Sequence, residues 1–195
     1  MTRRSMRPRA KRVFVGCEGQ SEQGYARLLQ EFVNDAGVAI NIKTRVWTGA
    51  GDPLVLIQQA LTLIKKDEQQ PMRKYKGRFL MFDTDRLGQS HDRDRELEKL
   101  SRKNDLVLVR QNLCFESVLL RHFAGHENDD PATSSDALKR LQRVWPDYRK
   151  GMAAMDLSKR IDPGAVRRAA NPRLNSGLHQ LVVAIGLLNN QDSGC

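Results

Sequence analysis

Three carboxylates in this sequence stand just beyond short apolar runs. Arg12-Val13-Phe14-Val15-Gly16 leads through Cys17 to Glu18, and Arg78-Phe79-Leu80-Met81-Phe82 leads directly into Asp83-Thr84-Asp85. Runs of this kind read as buried strands. Gly16 and Gly19 flank Glu18 closely, so the backbone can turn sharply and project that carboxylate from a strand end. In an extended segment residues i and i+2 point to the same side, so Asp83 and Asp85 are expected to face one ligand together. Gathered carboxylates repel one another unless a cation or a proton stands between them. Hard oxygen ligands suit magnesium or manganese rather than zinc. An Asp-x-Asp alone often only caps a helix or turns the chain. Its pairing with a strand-end glutamate is what points to metal-assisted chemistry.

The elements that would position these groups follow from periodicity. Behind Glu18, the residues Tyr25, Leu28, Leu29, Phe32, Val33 and Ala36 recur at helical spacing, with Ser21 as the expected N-cap and Gly37 as the stop. Val38 to Trp47 alternates and predicts a second strand. Asp52-Pro53 opens a helix whose apolar face is Ile57, Ala60, Leu61 and Ile64. The segment from Arg93 to Lys103 predicts an exposed helix with Leu97 and Leu100 inward, and Leu106-Val107-Leu108-Val109 a fourth strand. Phe115, Val118, Leu119, His122 and Phe123 form one helical face, residues 125–135 a loop, and the remainder helices, the last marked by Leu178, Leu181, Val182, Ile185 and Leu188. Alternating strands and helices imply an α/β fold, a mostly parallel sheet of about four strands with helices on both faces and a helical C-terminal part. In such sheets ligands bind beyond the carboxyl ends of the strands, where Glu18 and Asp83 fall. The expected organisation is a basic flexible tail over 1–12 and one domain over 13–190, with its α/β core in 13–124 and its basic helical part in 134–188. The loop from Glu127 to Asp136 and the last few residues are further candidates for disorder.

The net charge of +10 is unevenly spread. Residues 1–12 carry six Lys or Arg and no acid, and residues 138–173 carry ten Lys or Arg against three Asp. Clusters of this sign suit a phosphate backbone, although a short basic tail is as readily just solvated. Lys139, Arg143, Arg149 and Lys150 are the candidate nucleic-acid contacts, with a solvated helix face as the alternative. No apolar run is long enough to span a membrane, and no apolar core follows the N-terminal arginines. The three cysteines, Cys17, Cys114 and Cys195, are far apart and in no C-x-x-C pattern, which argues against a disulfide framework or zinc site and fits a reducing cytoplasm.

Haloacid-dehalogenase-type phosphatases place Asp-x-Asp after the first strand; here a glutamate holds that place and Asp-x-Asp follows a later strand. That order resembles the Toprim domain of topoisomerases, primases and OLD-type nucleases. Val15-Gly16-Cys17-Glu18-Gly19-Gln20-Ser21-Glu22 with Tyr25 resembles the opening motif of the RloB-like family. Phe82-Asp83-Thr84-Asp85 is similar to its Asp-x-Asp, and Asn112-Leu113-Cys114-Phe115-Glu116 to its Asn-Pro-Cys-Phe-Glu segment. Tyr148-Arg149-Lys150 and Asn171-Pro172 resemble its C-terminal features, so the likeness runs from about Val13 to Leu188. Leu113 stands where proline is usual, Ser21 where threonine is usual, and Arg86 where the family tends to be acidic. The resemblance implies a Toprim-like fold in a bacterial restriction or phage-defence protein. It implies Glu18 as general acid or base, Asp83 and Asp85 as ligands of magnesium or manganese, and Glu22 and Glu116 as further metal candidates.

Each of the last two has a plainer alternative. Glu22 lies in the first turn of a helix, where the dipole favours a carboxylate. Glu116 lies on an apolar helix and needs a partner, either a salt bridge or a metal-site role. His122 reads as a satisfied core histidine, and Cys17 and Cys114 as small buried residues. The function expected is a magnesium-dependent nuclease acting on DNA or RNA. The alternative is a metal- or nucleotide-sensing subunit of a defence complex, inactive without a partner. An ATPase is the candidate partner, since no Gly-x-x-x-x-Gly-Lys-Ser/Thr loop is present. Oligomeric state does not follow from the sequence.

Overall fold

The computed structural model describes residues 10–49, 51–70 and 74–189. Four strands, β1 (Lys11–Cys17), β2 (Ile40–Val46), β3 (Gly77–Asp83) and β4 (Val107–Gln111), form one sheet in the order β2-β1-β3-β4. Every pairing is parallel. The connecting helices are α1 (Gln20–Asp35), α2 (Pro53–Asp67) and α3 (His91–Lys103); α4 (Phe115–Leu120), α5 (Ser134–Val144), α6 (Ala154–Leu157), α7 (Pro163–Ala169) and α8 (Ser176–Ala184) follow the last strand.

Strand alternation divides the core in two. Val13, Val15 and Cys17 of β1, Phe79 and Met81 of β3, and Val109 of β4 face one side, where α1, α4, α5, α7 and α8 supply Leu28, Leu29, Leu119, Leu141, Val166 and Leu181. Phe14, Leu80, Phe82 and Leu108 face the other, against Leu56, Ile57 and Ala60 of α2 and Leu97 of α3. Burial on both faces is why the strands read as continuous apolar runs. The Rossmann-like arrangement and the helices on both faces agree with the sequence expectation. β1 and β3 are central neighbours from which the chain departs in opposite directions, so their carboxyl ends frame a topological switch point.

Several local expectations change. Asp52 caps α2 through Leu54 N–H with Pro53 in the first turn, as expected. The N-cap of α1, however, is Gly19, not Ser21; the Ser21 hydroxyl instead accepts Gly151 N–H at 2.9 Å. Of the expected basic tail, Lys11 already belongs to β1, and residues 1–9 lie outside the described residues, as do Asp192 and Cys195. The loop from Glu127 to Asp136 is tied down: the buried Arg121 donates to Asp129 O at 2.9 Å. His122 is a satisfied core histidine. Its Nδ1 pairs with Val118 O and its Nε2 with the Tyr25 hydroxyl, both at 2.9 Å, and burial lowers its pKa to about 4. Among the described residues, no helix is long and apolar enough to cross a membrane.

Candidate metal and phosphate site

Glu18 is placed by the last pairings of β1. Its own N–H donates to Met81 O at 3.1 Å, and its Oε2 accepts Asp83 N–H at 2.9 Å. The glutamate therefore closes the gap between the ends of β1 and β3, and its Oε1 accepts no hydrogen bond from the described residues. One turn into α1, Glu22 is buried, and its Oε2 accepts Gly19 N–H at 3.1 Å. That contact is the carboxylate half of a capping box, so the helix-end role is real. It engages only one oxygen.

The neighbouring strand supplies the group that sequence reading missed. Gln111, the last residue of β4, is fully buried; the amide orientation that satisfies its surroundings points the nitrogen at Glu22 Oε1, 3.0 Å away, and at Asp83 Oδ1, 2.5 Å away. Only parallel pairing of β4 with β3 sets Gln111 beside Asp83. A polar residue ending an apolar strand was the available signal. Glu116, in the first turn of α4, is also buried; its Oε1 accepts the Tyr148 hydroxyl at 3.0 Å and lies 3.5 Å from Lys150 Nζ. Tyr148 and Lys150 arrive on a strap that crosses α1, where the Met152 carbonyl lies so close to Gly24 that a Cβ there would stand 2.2 Å from it.

Asp85 reaches the cluster by a different route from the one expected. β3 ends at Asp83, and Gln111 O takes both the N–H and the hydroxyl of Thr84, each at 3.1 Å. A turn follows, closed by Leu87 N–H on Thr84 O, so the extended i, i+2 relation does not hold and Asp85 sits exposed on the rim. Its charge still acts on Glu18 and Asp83. Leu113 takes φ +60° and donates its N–H to Thr84 Oγ1 at 2.9 Å. Proline can adopt neither that angle nor that bond, so this local conformation requires a residue other than proline.

The electrostatics are those of crowded acids. Burial, then the charges of Glu22, Glu18, Glu116 and Asp85, push Asp83 up to about 8. Burial, then Glu18 and Glu116, push Glu22 up to about 7 against the hydrogen bonds it accepts. Glu18 is raised by burial first and by Asp85, and opposed by Asp83 N–H and Arg86. Cys17 and Cys114 are raised by burial, which leaves neither as a ready thiolate.

The donor set fits a hard divalent cation in kind and charge. Among the described residues, no three His, Cys, Asp or Glu side chains are grouped closely enough to hold an ion by themselves. Magnesium is commonly held by one or two carboxylates, with water and substrate phosphate completing its shell. The basic candidates divide. Lys150 joins the cluster through Glu116, while Lys139 and Arg143 are exposed on α5 and Arg149 is exposed on the strap. Elsewhere in the basic third, Arg140 pairs with Asp136, Lys159 with Asp156, and Arg160 and Arg168 donate to Val144 O and His122 O.

A family model described as RloB-like protein matches residues 13–182. No curated protein and no solved structure matches the chain.

Proposed function

This chain belongs to the RloB-like family, and from that premise we propose that it is a magnesium-dependent nuclease that hydrolyses phosphodiester bonds in DNA or RNA. The observation that carries this reading is the mutual electrostatic influence of Glu18, Glu22, Asp83 and Glu116, with Asp85 at the rim, around the ends of β1 and β3. Toprim-like chemistry is what the order of those carboxylates suggests.

Asp83 and Asp85 would hold the cation, with Glu22 and Glu116 as reserve ligands or supports. A divalent ion there would neutralise phosphate charge and acidify a bound water. Glu18 Oε1, which accepts no hydrogen bond from the described residues, would take or give the proton at the attacking or leaving oxygen. Burial raises the Glu18 carboxyl above the usual carboxylate range, the direction that suits a group exchanging protons. Gln111 holds Glu22 and Asp83 in place, and Tyr148 fixes the Glu116 carboxylate. Lys139, Arg143 and Arg149 would contact the backbone with little base preference.

The test is cleavage of plasmid DNA and a structured RNA with magnesium, manganese or EDTA. Metal-dependent cleavage is expected, and Glu18→Gln and Asp83→Asn should each lower it by about 100-fold or more. Wild-type activity that persists in EDTA would sink the reading. Metal binding without cleavage would favour instead a binding subunit that needs a defence-system partner such as an ATPase.

A further inference from the structure

Between the first turns of α2 and α3 lies a cavity of about 240 Å³, reached from the β3 end by Arg86, the residue after Asp85. It is smaller than the roughly 300–1,000 Å³ usual for small-molecule sites, and its lining is mostly polar or charged. Its charged lining is Asp52, Arg86, Arg93 and Asp94. Three of these are engaged internally. Arg93 is ion-paired with Asp52, Asp52 also accepts Leu54 N–H at 2.9 Å, and Asp94 accepts Gly88 N–H at 2.8 Å. Ser90 caps α3 by backbone alone, so its hydroxyl is not used in capping.

Arg86 differs from the rest. It is exposed on the turn after β3, next to Asp85, and its charge acts on Glu18. Its guanidinium lies over Gly51, where a Cβ would stand 3.1–3.2 Å from its outer atoms. Gly51 has φ +51°, so the bare backbone both permits the turn and leaves room for the guanidinium. Arg86 thus lines the cavity and also acts electrostatically on the carboxylate that would move the proton.

Resting on the nuclease reading above, we infer that Arg86 is a substrate-positioning residue that grips the backbone phosphate next to the scissile one and seats it at the mouth of this cavity. The planar guanidinium can take two oxygens of one phosphate, which an ammonium cannot. Ser90 would offer a third hydrogen bond. The acidic cluster alone would repel a polyanion, and Arg86 is placed to offset that repulsion at the point of entry.

The experiment measures binding of fluorescein-labelled single-stranded and duplex oligonucleotides by anisotropy across a salt series. It uses the full chain carrying Asp83→Asn to prevent cleavage, and KM and kcat are measured in the active background. Arg86→Ala should weaken binding by about tenfold at low salt. It should also reduce the salt slope by about 0.7–0.9, the loss of one phosphate contact. KM should rise with kcat within a few-fold, and Arg86→Lys should restore the salt slope but not the full KM. If the parent protein binds and cleaves while Arg86→Ala leaves slope and KM unchanged, this inference alone is overturned. If the parent protein binds neither nucleic acid, the nuclease reading falls and takes the inference with it.

Discussion

Burial and mutual repulsion leave Asp83 and Glu22 holding protons that free carboxyls give up near pH 4. Folding without a cation therefore becomes less favourable as those protons leave. A carboxyl whose pKa is raised in the folded state contributes stability at low pH, lost as pH rises through the folded value. Here the folded values are about 7 for Glu22 and about 8 for Asp83. The melting temperature in EDTA should accordingly fall between about pH 5 and pH 8. Asp83→Asn should flatten that fall, because the amide keeps the shape without the charge, and magnesium should restore the wild type at pH 8. Thermal melts of both proteins at several pH values check this; equal slopes would show that the cluster is not the source.

At the scale of elements, the strap from Tyr148 to Met152 depends on how closely it approaches α1. A glycine inside a helix costs about 1 kcal/mol relative to alanine, so Gly24 needs a compensating reason. The Met152 carbonyl provides it. Gly24→Ala should destabilise the protein by about 1–3 kcal/mol despite the better helix former, since the clash is with backbone that cannot rotate away. Denaturant unfolding measures the loss. A neutral or stabilising outcome would mean that the strap shifts freely, and then Tyr148 would not hold Glu116 rigidly. The same logic places Gln111: its position is a consequence of β3–β4 register, and a one-residue slip would turn it from the cluster.

For the whole molecule, the sheet order decides where function concentrates. Placing β1 and β3 side by side puts Glu18 and Asp83 across one switch point, while charge of the opposite sign collects in the C-terminal third. Several of those cations are consumed by internal pairs, so the surface left for a polyanion is smaller than the composition implies. Lys139 and Arg143, one turn apart on α5, remain exposed. Replacing both with alanine should reduce the salt slope of nucleic-acid binding by up to about 1.8, with no change in sequence preference. An unchanged slope in the same anisotropy titration would assign these two residues to a merely solvated helix face.

The sequence by itself determined the elements and their faces. Val13, Val15, Phe79 and Met81 alternate with Phe14, Leu80 and Phe82 because each strand is buried on both sides, a property of neighbouring residues alone. It also marked Glu18 and Asp83 as strand-end carboxylates and His122 as a core residue. The tertiary structure decided what depends on distant partners. The order β2-β1-β3-β4 pairs segments far apart in the chain, and no local pattern encodes it. Gln111 meets Asp83 and Glu22 only through strand register, and Tyr148 meets Glu116 only through the strap. Asp85 lies in a turn closed by Leu87 N–H on Thr84 O rather than in an extended strand. Gly19, not Ser21, caps α1, and the Ser21 hydroxyl accepts Gly151 N–H from a distant part of the chain. Periodicity fixes which way a side chain faces, but long-range packing fixes what it meets.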